Sequence, residues 1–157
     1  MNLEHVARLA DLNARYADGI DADRLEAWPD FFLDDGRYRV TTAENVAQGL
    51  PLSLIYAASR AMLRDRVRAL REANVYEAQR YRHVLGTPLI VTVETGCLRA
   101  RTSFMVARVM HTGETILFAT GYYDDRVILD GADGARFAEK TVILDSRQID
   151  TLLALPL

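Results

Sequence analysis

The strongest metal ligands and nucleophiles in this 157-residue chain are His5, His83, His111 and a single cysteine, Cys97. No two histidines stand at the i, i+4 spacing that puts both imidazoles on one helical face, and no carboxylate completes a two-histidine triad. His5 lies near the N-terminus and His111 falls at a hairpin, so the three read as unrelated histidines and no metal site is expected. One cysteine cannot supply an iron–sulfur cluster. Acid–base chemistry has more candidates. Tyr16, Asp18, Asp21, Asp34, Asp35 and Tyr38 would furnish a general acid or base if they converged inside a hollow fold. Capping and turn formation explain Asp21, Asp34 and Asp35 without catalysis, and that is the reading adopted. No catalytic, cofactor-binding or metal-binding residue is expected in this chain. It has no glycine-rich loop to cradle a dinucleotide phosphate.

Two arginine groups come next. In a strand, Arg80-Tyr81-Arg82-His83 sends Arg80 and Arg82 to one face and Tyr81 and His83 to the other. Two arginines on one face suit either a solvated surface or ion pairs with carboxylates of another subunit. A second group, Arg60, Arg64, Arg66, Arg68 and Arg71, surrounds one helix. With a net charge of −3 and no recognisable binding module, this is not a nucleic-acid footprint; it is a solvated face or a subunit contact. Trp28, Tyr122 and Tyr123 exceed what one small core needs and join Arg80 and Arg82 as candidate interface residues. Cys97, in a strand, reads as a buried inert thiol.

The elements that must position these residues are helical first and β afterwards. Leu3, Val6, Ala10, Ala14 and Ala17 mark one face of a helix over residues 2–18, ended by Gly19. Asp21 is placed to cap a short second helix over 22–28, closed at Trp28-Pro29 because the residue before proline avoids the α region. A first strand runs from Arg37 to Thr42. Gln48-Gly49-Leu50-Pro51 is a turn, and Leu52 to Ala57 is a short strand or the lead into a helix. Ser59 caps a third helix reaching about Asn74, with Leu63, Val67 and Leu70 as its core stripe. Strands are expected near 79–86, 88–95, 97–111, 114–129 and 135–145. Turns fall at Thr112-Gly113 and over Asp130–Gly134. Strands near 15 residues extend roughly 50 Å, so they must twist and bend, with bulges near Gly121. Gln148 to Leu155 reads as a short helix or tail closed by Pro156. The architecture is α+β: N-terminal helices on a long, curved, mostly antiparallel sheet, forming a cone from one domain over residues 1–157.

Composition sets the outer limits. Half the residues are hydrophobic and a quarter charged, ordinary for a soluble domain able to bury roughly 70% of its unfolded surface. One cysteine permits no intrachain disulfide and fits a reducing cytoplasm. No apolar run is long enough to span a membrane and no signal peptide is seen. The basic residues are 18 arginines and one lysine, Lys140, the skew of a GC-rich bacterial genome.

Several stretches in order resemble the small (β) subunits of Rieske-type aromatic-ring-hydroxylating dioxygenases. They are Glu26-Ala27-Trp28-Pro29-Asp30-Phe31-Phe32, Gly36-Arg37-Tyr38-Arg39-Val40, Gln48-Gly49-Leu50-Pro51-Leu52 and Met62-Leu63-Arg64-Asp65-Arg66-Val67. Further along stand Arg82-His83-Val84-Leu85-Gly86 and Ala119-Thr120-Gly121-Tyr122-Tyr123-Asp124. Leu70 to His83, Met110 to Thr115 and the ending Asp150 to Leu157 resemble the subunits that serve terephthalate. Trp28 to Phe32 and Gln48 to Leu52 are similar to those of salicylate 5-hydroxylases. Gly86-Thr87 stands where hydrocarbon dioxygenases often have Ser-Asn, which weakens a naphthalene-type reading.

The resemblance implies a nuclear-transport-factor-two-like cone and a hexamer of three large and three small subunits. It implies that the large (α) subunit holds the Rieske [2Fe–2S] cluster and the mononuclear Fe(II), with NAD(P)H feeding electrons through a separate reductase. This chain would then be the structural, non-catalytic subunit of an oxidoreductase that dihydroxylates an aromatic carboxylate, terephthalate first and salicylate second. The distant alternative is a stand-alone cone isomerase or dehydratase. It needs a converging acid–base set, and no histidine is expected deep in the right segment.

Overall fold

The computed structural model describes residues 2–73, 76–132, 134–148 and 153–157. Helix α1 spans Leu3–Asp21, and the Asn2 side chain caps it by accepting from the amides of Glu4 and His5. Its buried stripe is Leu9, Leu12, Asn13, Tyr16, Ala17 and Ile20. Gly19 does not end the helix. The stripe continues to Ile20, Gly19 lies against the Phe31 ring, and the chain reverses at Asp23 in the left-handed region (φ 60°). A 3-10 segment over Leu25–Phe31 follows, shifted three residues along from the expected second helix and running through Pro29. Tertiary packing overrides the proline here. Trp28 meets Phe32 and Tyr38 edge-on at 6.0 and 5.1 Å, geometries worth about 0.5–1.5 kcal/mol each.

Strand β1 covers Phe32–Thr42 and starts five residues before the expected Arg37. Its first part is irregular: Phe32 pairs with Phe137 but Arg37 with Glu139. At the inner bend, a Cβ on Gly36 would meet the Leu33 carbonyl at 2.8 Å, so only glycine fits. A short helix α2, Ala43–Ala47, capped by Thr42, escaped the sequence because no residue in it is buried. Strand β2, Ile55–Ala57, and helix α3, Arg60–Glu72, follow. As the apolar spacing indicates, Ser59 caps α3 and Leu63, Val67 and Leu70 are buried. Its expected end at Asn74 lies outside the described residues.

The remaining strands are β3 (Gln79–Leu85), β4 (Leu89–Glu94), β5 (Cys97–Met110), β6 (Thr115–Asp130) and β7 (Gly134–Leu144). All five lie within one or two residues of the expected spans. Alternation explains the agreement: β5 buries Leu98, Ala100, Thr102, Phe104 and Val106 at strict two-residue spacing. Strand order is β2-β1-β7-β6-β5-β3, with β4 also on β5. Every pairing is antiparallel except β1 with β7.

The long strands bend at two irregularities. Phe118 is extra where Val106 pairs with Ala119 and Ala107 with Leu117; Ala138 is extra where Arg126 pairs with Glu139 and Val127 with Phe137. The first bulge sits three residues before Gly121. Gly121 has a separate role, since a Cβ there would lie 2.0 Å from the Ile143 carbonyl oxygen. α1 packs on β3, β7 and β4, and α3 on β1 and the 3-10 segment. Arg71 of α3 ties that segment down, donating to Glu26 at 2.7 Å and to Asp23 at 3.0 Å.

The expected tail over Gln148–Leu155 falls partly on residues 149–152, outside the described residues. Residues 153–157 form no helix and enter the core, where Ala154, Leu155 and Leu157 are buried.

Candidate functional site

The inner face of the sheet and the helices laid on it enclose two groups of ionisable side chains. The first joins the end of α1 to β3. Asp21 Oδ1 lies 2.6 Å from His83 Nδ1, and Asp21 Oδ2 accepts the His83 backbone N–H at 2.9 Å. The His83 side chain is fully buried and that of Asp21 is 6% exposed. Asp21 is therefore not a helix cap; the 3-10 segment has no side-chain cap at all. His83 does lie deep in the cone, contrary to the expectation that no histidine would. The strand alternation had already put His83 and Tyr81 on one face. What the sequence lacked was any sign that Asp21, 62 positions earlier, would meet it.

The second group is Lys140 with Asp125, facing partners on β7 and β6. Lys140 Nζ lies 3.1 and 3.3 Å from the two Asp125 carboxylate oxygens, and both side chains are almost wholly buried. The rings of Tyr123, Phe137 and Tyr16 surround the ammonium at 3.6, 4.2 and 4.6 Å from their centroids. Desolvation pushes the Asp125 carboxyl up to about 6 and pulls the Lys140 ammonium down to about 8; the partner opposes the shift in each case. The sole lysine of the chain is thus a structural cation. Its burial was not foreseen, because a lone lysine beside Glu139 looks like a surface residue.

Tyrosines close the centre of the cone. Trp28 Nε1 donates to the Tyr16 hydroxyl at 3.1 Å, and that hydroxyl donates to the Leu157 carbonyl oxygen at 2.7 Å. The Leu157 amide donates to the Tyr38 hydroxyl at 3.1 Å. Burial raises both phenols, Tyr38 to about 12. Of the acid–base candidates named from sequence, Tyr16, Tyr38 and Asp21 lie inside. Asp18 is exposed and paired with Arg24, and Asp34 is exposed beside Arg60. Ala154, Leu155 and Leu157 are buried in the core with these tyrosines.

The outer surface holds the rest. Arg80 and Arg82 are exposed, as alternation requires, and Tyr122 is half-buried with the Arg101 guanidinium 5.6 Å above its ring. Trp28 and Tyr123 are 1% and 0% exposed. They are core residues and present no side-chain surface to another subunit, which corrects their expected place at an interface. The core is larger than the aromatic count suggested because residues 153–157 add to it. Cys97 is only half-buried, not the sealed thiol expected, and borders an outer cavity of about 500 Å3 with Arg99, Asp124, Arg126 and Glu139. Four of the α3 arginines are engaged within the chain: Arg60 donates to the Phe32 carbonyl and Arg66 to that of Leu153, Arg64 lies 3.8 Å from Asp30, and Arg71 holds Asp23 and Glu26. Among the described residues, no three His, Cys, Asp or Glu side chains converge as a metal site, and no helix is long and apolar enough to cross a membrane.

Known proteins share this arrangement. A family profile described as the ring hydroxylating β subunit matches residues 15–151. The β 1 subunit of the terminal oxygenase component of terephthalate 1,2-dioxygenase from a Comamonas species is 48% identical, over 96% of this chain and 97% of its own. The small subunit of anthranilate 1,2-dioxygenase from Burkholderia cepacia is 38% identical, over 93% and 90%. A solved structure from Novosphingobium aromaticivorans, described as the β subunit of an aromatic-ring-hydroxylating dioxygenase, superposes with a TM-score of 0.88 at 41% identity, covering 96% and 95%. A chain matched along nearly its whole length by such subunits belongs to the ring-hydroxylating β-subunit family, the small subunits of aromatic-ring-hydroxylating dioxygenases.

Proposed function

We propose that this chain is the structural small subunit of an oxygenase that dihydroxylates an aromatic carboxylate, with terephthalate as the favoured substrate. The observation that carries the reading is the end-to-end 48% identity to a terephthalate dioxygenase subunit. The 38% identical relative is named for another aromatic carboxylate, anthranilate. The chemistry then belongs to a large subunit carrying a Rieske [2Fe–2S] cluster and mononuclear Fe(II). The assembly is a three-plus-three hexamer in the cytoplasm, and a separate reductase delivers electrons from NAD(P)H. One cysteine and three histidines cannot supply the two-cysteine, two-histidine ligand set of a Rieske centre from this chain together with an iron site.

On the small-subunit side, the contact with the large subunit includes Arg80, Arg82 and Tyr122. These are the expected interface residues that keep exposed surface. Replacing Arg80 and Arg82 together by alanine lowers the amount of co-purified large subunit without changing the melting temperature of the small subunit; unchanged association removes them from the interface.

The function is tested by reconstituting both subunits with reductase and NAD(P)H, supplying terephthalate, salicylate, anthranilate and naphthalene, and identifying products by mass. A dihydrodiol from terephthalate is the expected result. Gentisate from salicylate moves the assignment to a salicylate 5-hydroxylase. Turnover of naphthalene with no carboxylate touched overturns the substrate class.

A further inference from the structure

A sheet with one buried face turns polar side chains to the water on the other. Leu52, Leu54 and Tyr56 break that rule. They stand at two-residue spacing through β2 and the chain just before it and are 54–57% exposed, while Ile55 and Ala57 are buried. The row is fixed to β1. The Leu54 amide donates to the Val40 carbonyl at 2.8 Å, the Thr41 hydroxyl donates to the Leu52 carbonyl at 2.7 Å, and Arg39 donates to the Ser53 hydroxyl at 2.7 Å. A row held this way presents its apolar side chains with little left to order on binding. Among the described residues β2 pairs with no strand but β1, so its other edge is open.

The opposite end of the sheet has a matching feature. Among the described residues β4 pairs with no strand but β5. Leu89, Val91 and Val93 are 41–64% exposed, and with Ile90 and Val6 they line a groove of about 410 Å3 between β4 and the start of α1. Only Asn2 and Thr92 bring polar side chains to it. The edge of β3, which precedes β4 along β5, is protected: α1 packs on it and Asp21 accepts the His83 amide. With Val46 and Leu50 beside the leucine row and Leu3 beside the groove, each end of the sheet exposes an apolar patch of a few hundred Å2, the size that marks an interaction surface. That is about half of the ~800 Å2 per partner that a stable interface buries.

Strands β1, β7, β6 and β5 separate β2 from β4, so the two patches cannot cover each other within one chain. A second copy covers both at once, because an ordered apolar row with an open edge is what an apolar groove beside an open edge strand accepts. Charge agrees. Arg39, paired across the strands with Tyr56, and Glu94, at the end of β4, each lack an oppositely charged partner among the described residues. We propose that copies of this chain join head to tail, with the Leu52, Leu54 and Tyr56 row of one copy seated in the β4 groove of the next. A contact between unlike patches repeats and closes into a ring where the rotation allows. The contact deepens the small-subunit reading and rests on it for the number of copies, three.

The test is sedimentation velocity of the full chain and of two variants, Leu54→Glu in the row and Leu89→Glu in the groove. Both side chains are more than half exposed, so both variants fold, with melting temperature as the check. The full chain associates, and each variant alone is a single copy. An equal mixture of the two forms a species of two chains and nothing larger, because the intact row of Leu89→Glu fits the intact groove of Leu54→Glu and the other junction is blocked. A full chain that stays a single copy overturns the proposal. So does a mixture without the two-chain species, or a variant that associates like the full chain. Co-purification with the large subunit separates the two readings. If both variants lose the large subunit while the full chain alone does not associate, the patches belong to that subunit; the head-to-tail contact falls and the small-subunit reading stands. If the unaltered chain captures no large subunit, that reading falls and the two-chain species still decides the contact.

Discussion

Asp124 and Asp125 are adjacent in β6, each meets a cation from a neighbouring strand, and the two pairs obey different energetics. Asp124 points outward and accepts two bonds from Arg99, at 3.1 and 2.9 Å, with side chains 18% and 48% exposed. Asp125 points inward to Lys140 with essentially no exposure on either side. Water screens the outer pair and holds its net worth to about 0.2–1 kcal/mol. The inner pair has lost its hydration, and attraction does not fully offset that loss. Both groups are displaced toward their neutral forms, Asp125 up to about 6 and Lys140 down to about 8. Charge type is the same in both places; strand parity decides which interaction can be removed cheaply and which cannot.

The inner pair supplies the largest expected effect. Lys140→Met leaves Asp125 buried without a partner and costs roughly 3–5 kcal/mol in denaturant unfolding, whereas Lys140→Met with Asp125→Leu recovers most of that loss. The variants also differ in pH dependence. The folded-state value of Asp125 lies above its usual 3.8, and without Lys140 it rises further. A raised carboxyl contributes stability below its unfolded value and loses it as pH climbs through the folded one. Lys140→Met is therefore more stable at pH 4 than at pH 7, and the double variant loses this slope. A flat profile in the single variant means that water reaches Asp125 and the two faces are less different than they look.

Gly121 stands on the same inner row, two residues before Tyr123, and its constraint is steric. A Cβ there meets the backbone of Ile143 on β7, which cannot swing aside as a side chain would. Gly121→Ala costs about 1–3 kcal/mol by overpacking, while Tyr122→Phe on the outer row is neutral within error. Equal losses at the two positions would show that the sheet, and not its inner face, sets the penalty.

The same parity explains what was legible beforehand. The strands β3 to β7 were readable to within a residue or two because alternation and turn residues are local signals. The inward direction of Tyr81 and His83 followed from the same rule. The Asp21–His83 contact was not readable, because it depends on α1 running past Gly19 to Asp21 and on a pairing between residues 62 positions apart. Helix α2 buries nothing and so left no apolar pattern. Trp28 and Tyr123 looked surplus only while residues 153–157 were counted as a tail; with Leu155 and Leu157 inside, the core needs both aromatics. Family membership was legible because it rests on the order of many short stretches, no one of which had to be placed correctly.

The outer pair gives the smallest effect and the sharpest contrast in salt. Arg99→Ala breaks two hydrogen bonds to Asp124, but that carboxylate keeps water and has Arg101 3.9 Å away. The expected loss is therefore below about 1 kcal/mol in low salt. Raising ionic strength from about 0.1 M to about 1 M shortens the screening length from roughly 10 Å to roughly 3 Å, which removes most of what remains. No ion enters between Lys140 and Asp125, so the loss in Lys140→Met stays constant over the same range. Measured by urea unfolding at the two salt concentrations, the Arg99→Ala difference should shrink toward zero and the Lys140→Met difference should not move. If both shrink together, the inner pair is open to solvent and counterions, and its displaced carboxyl and ammonium need another cause.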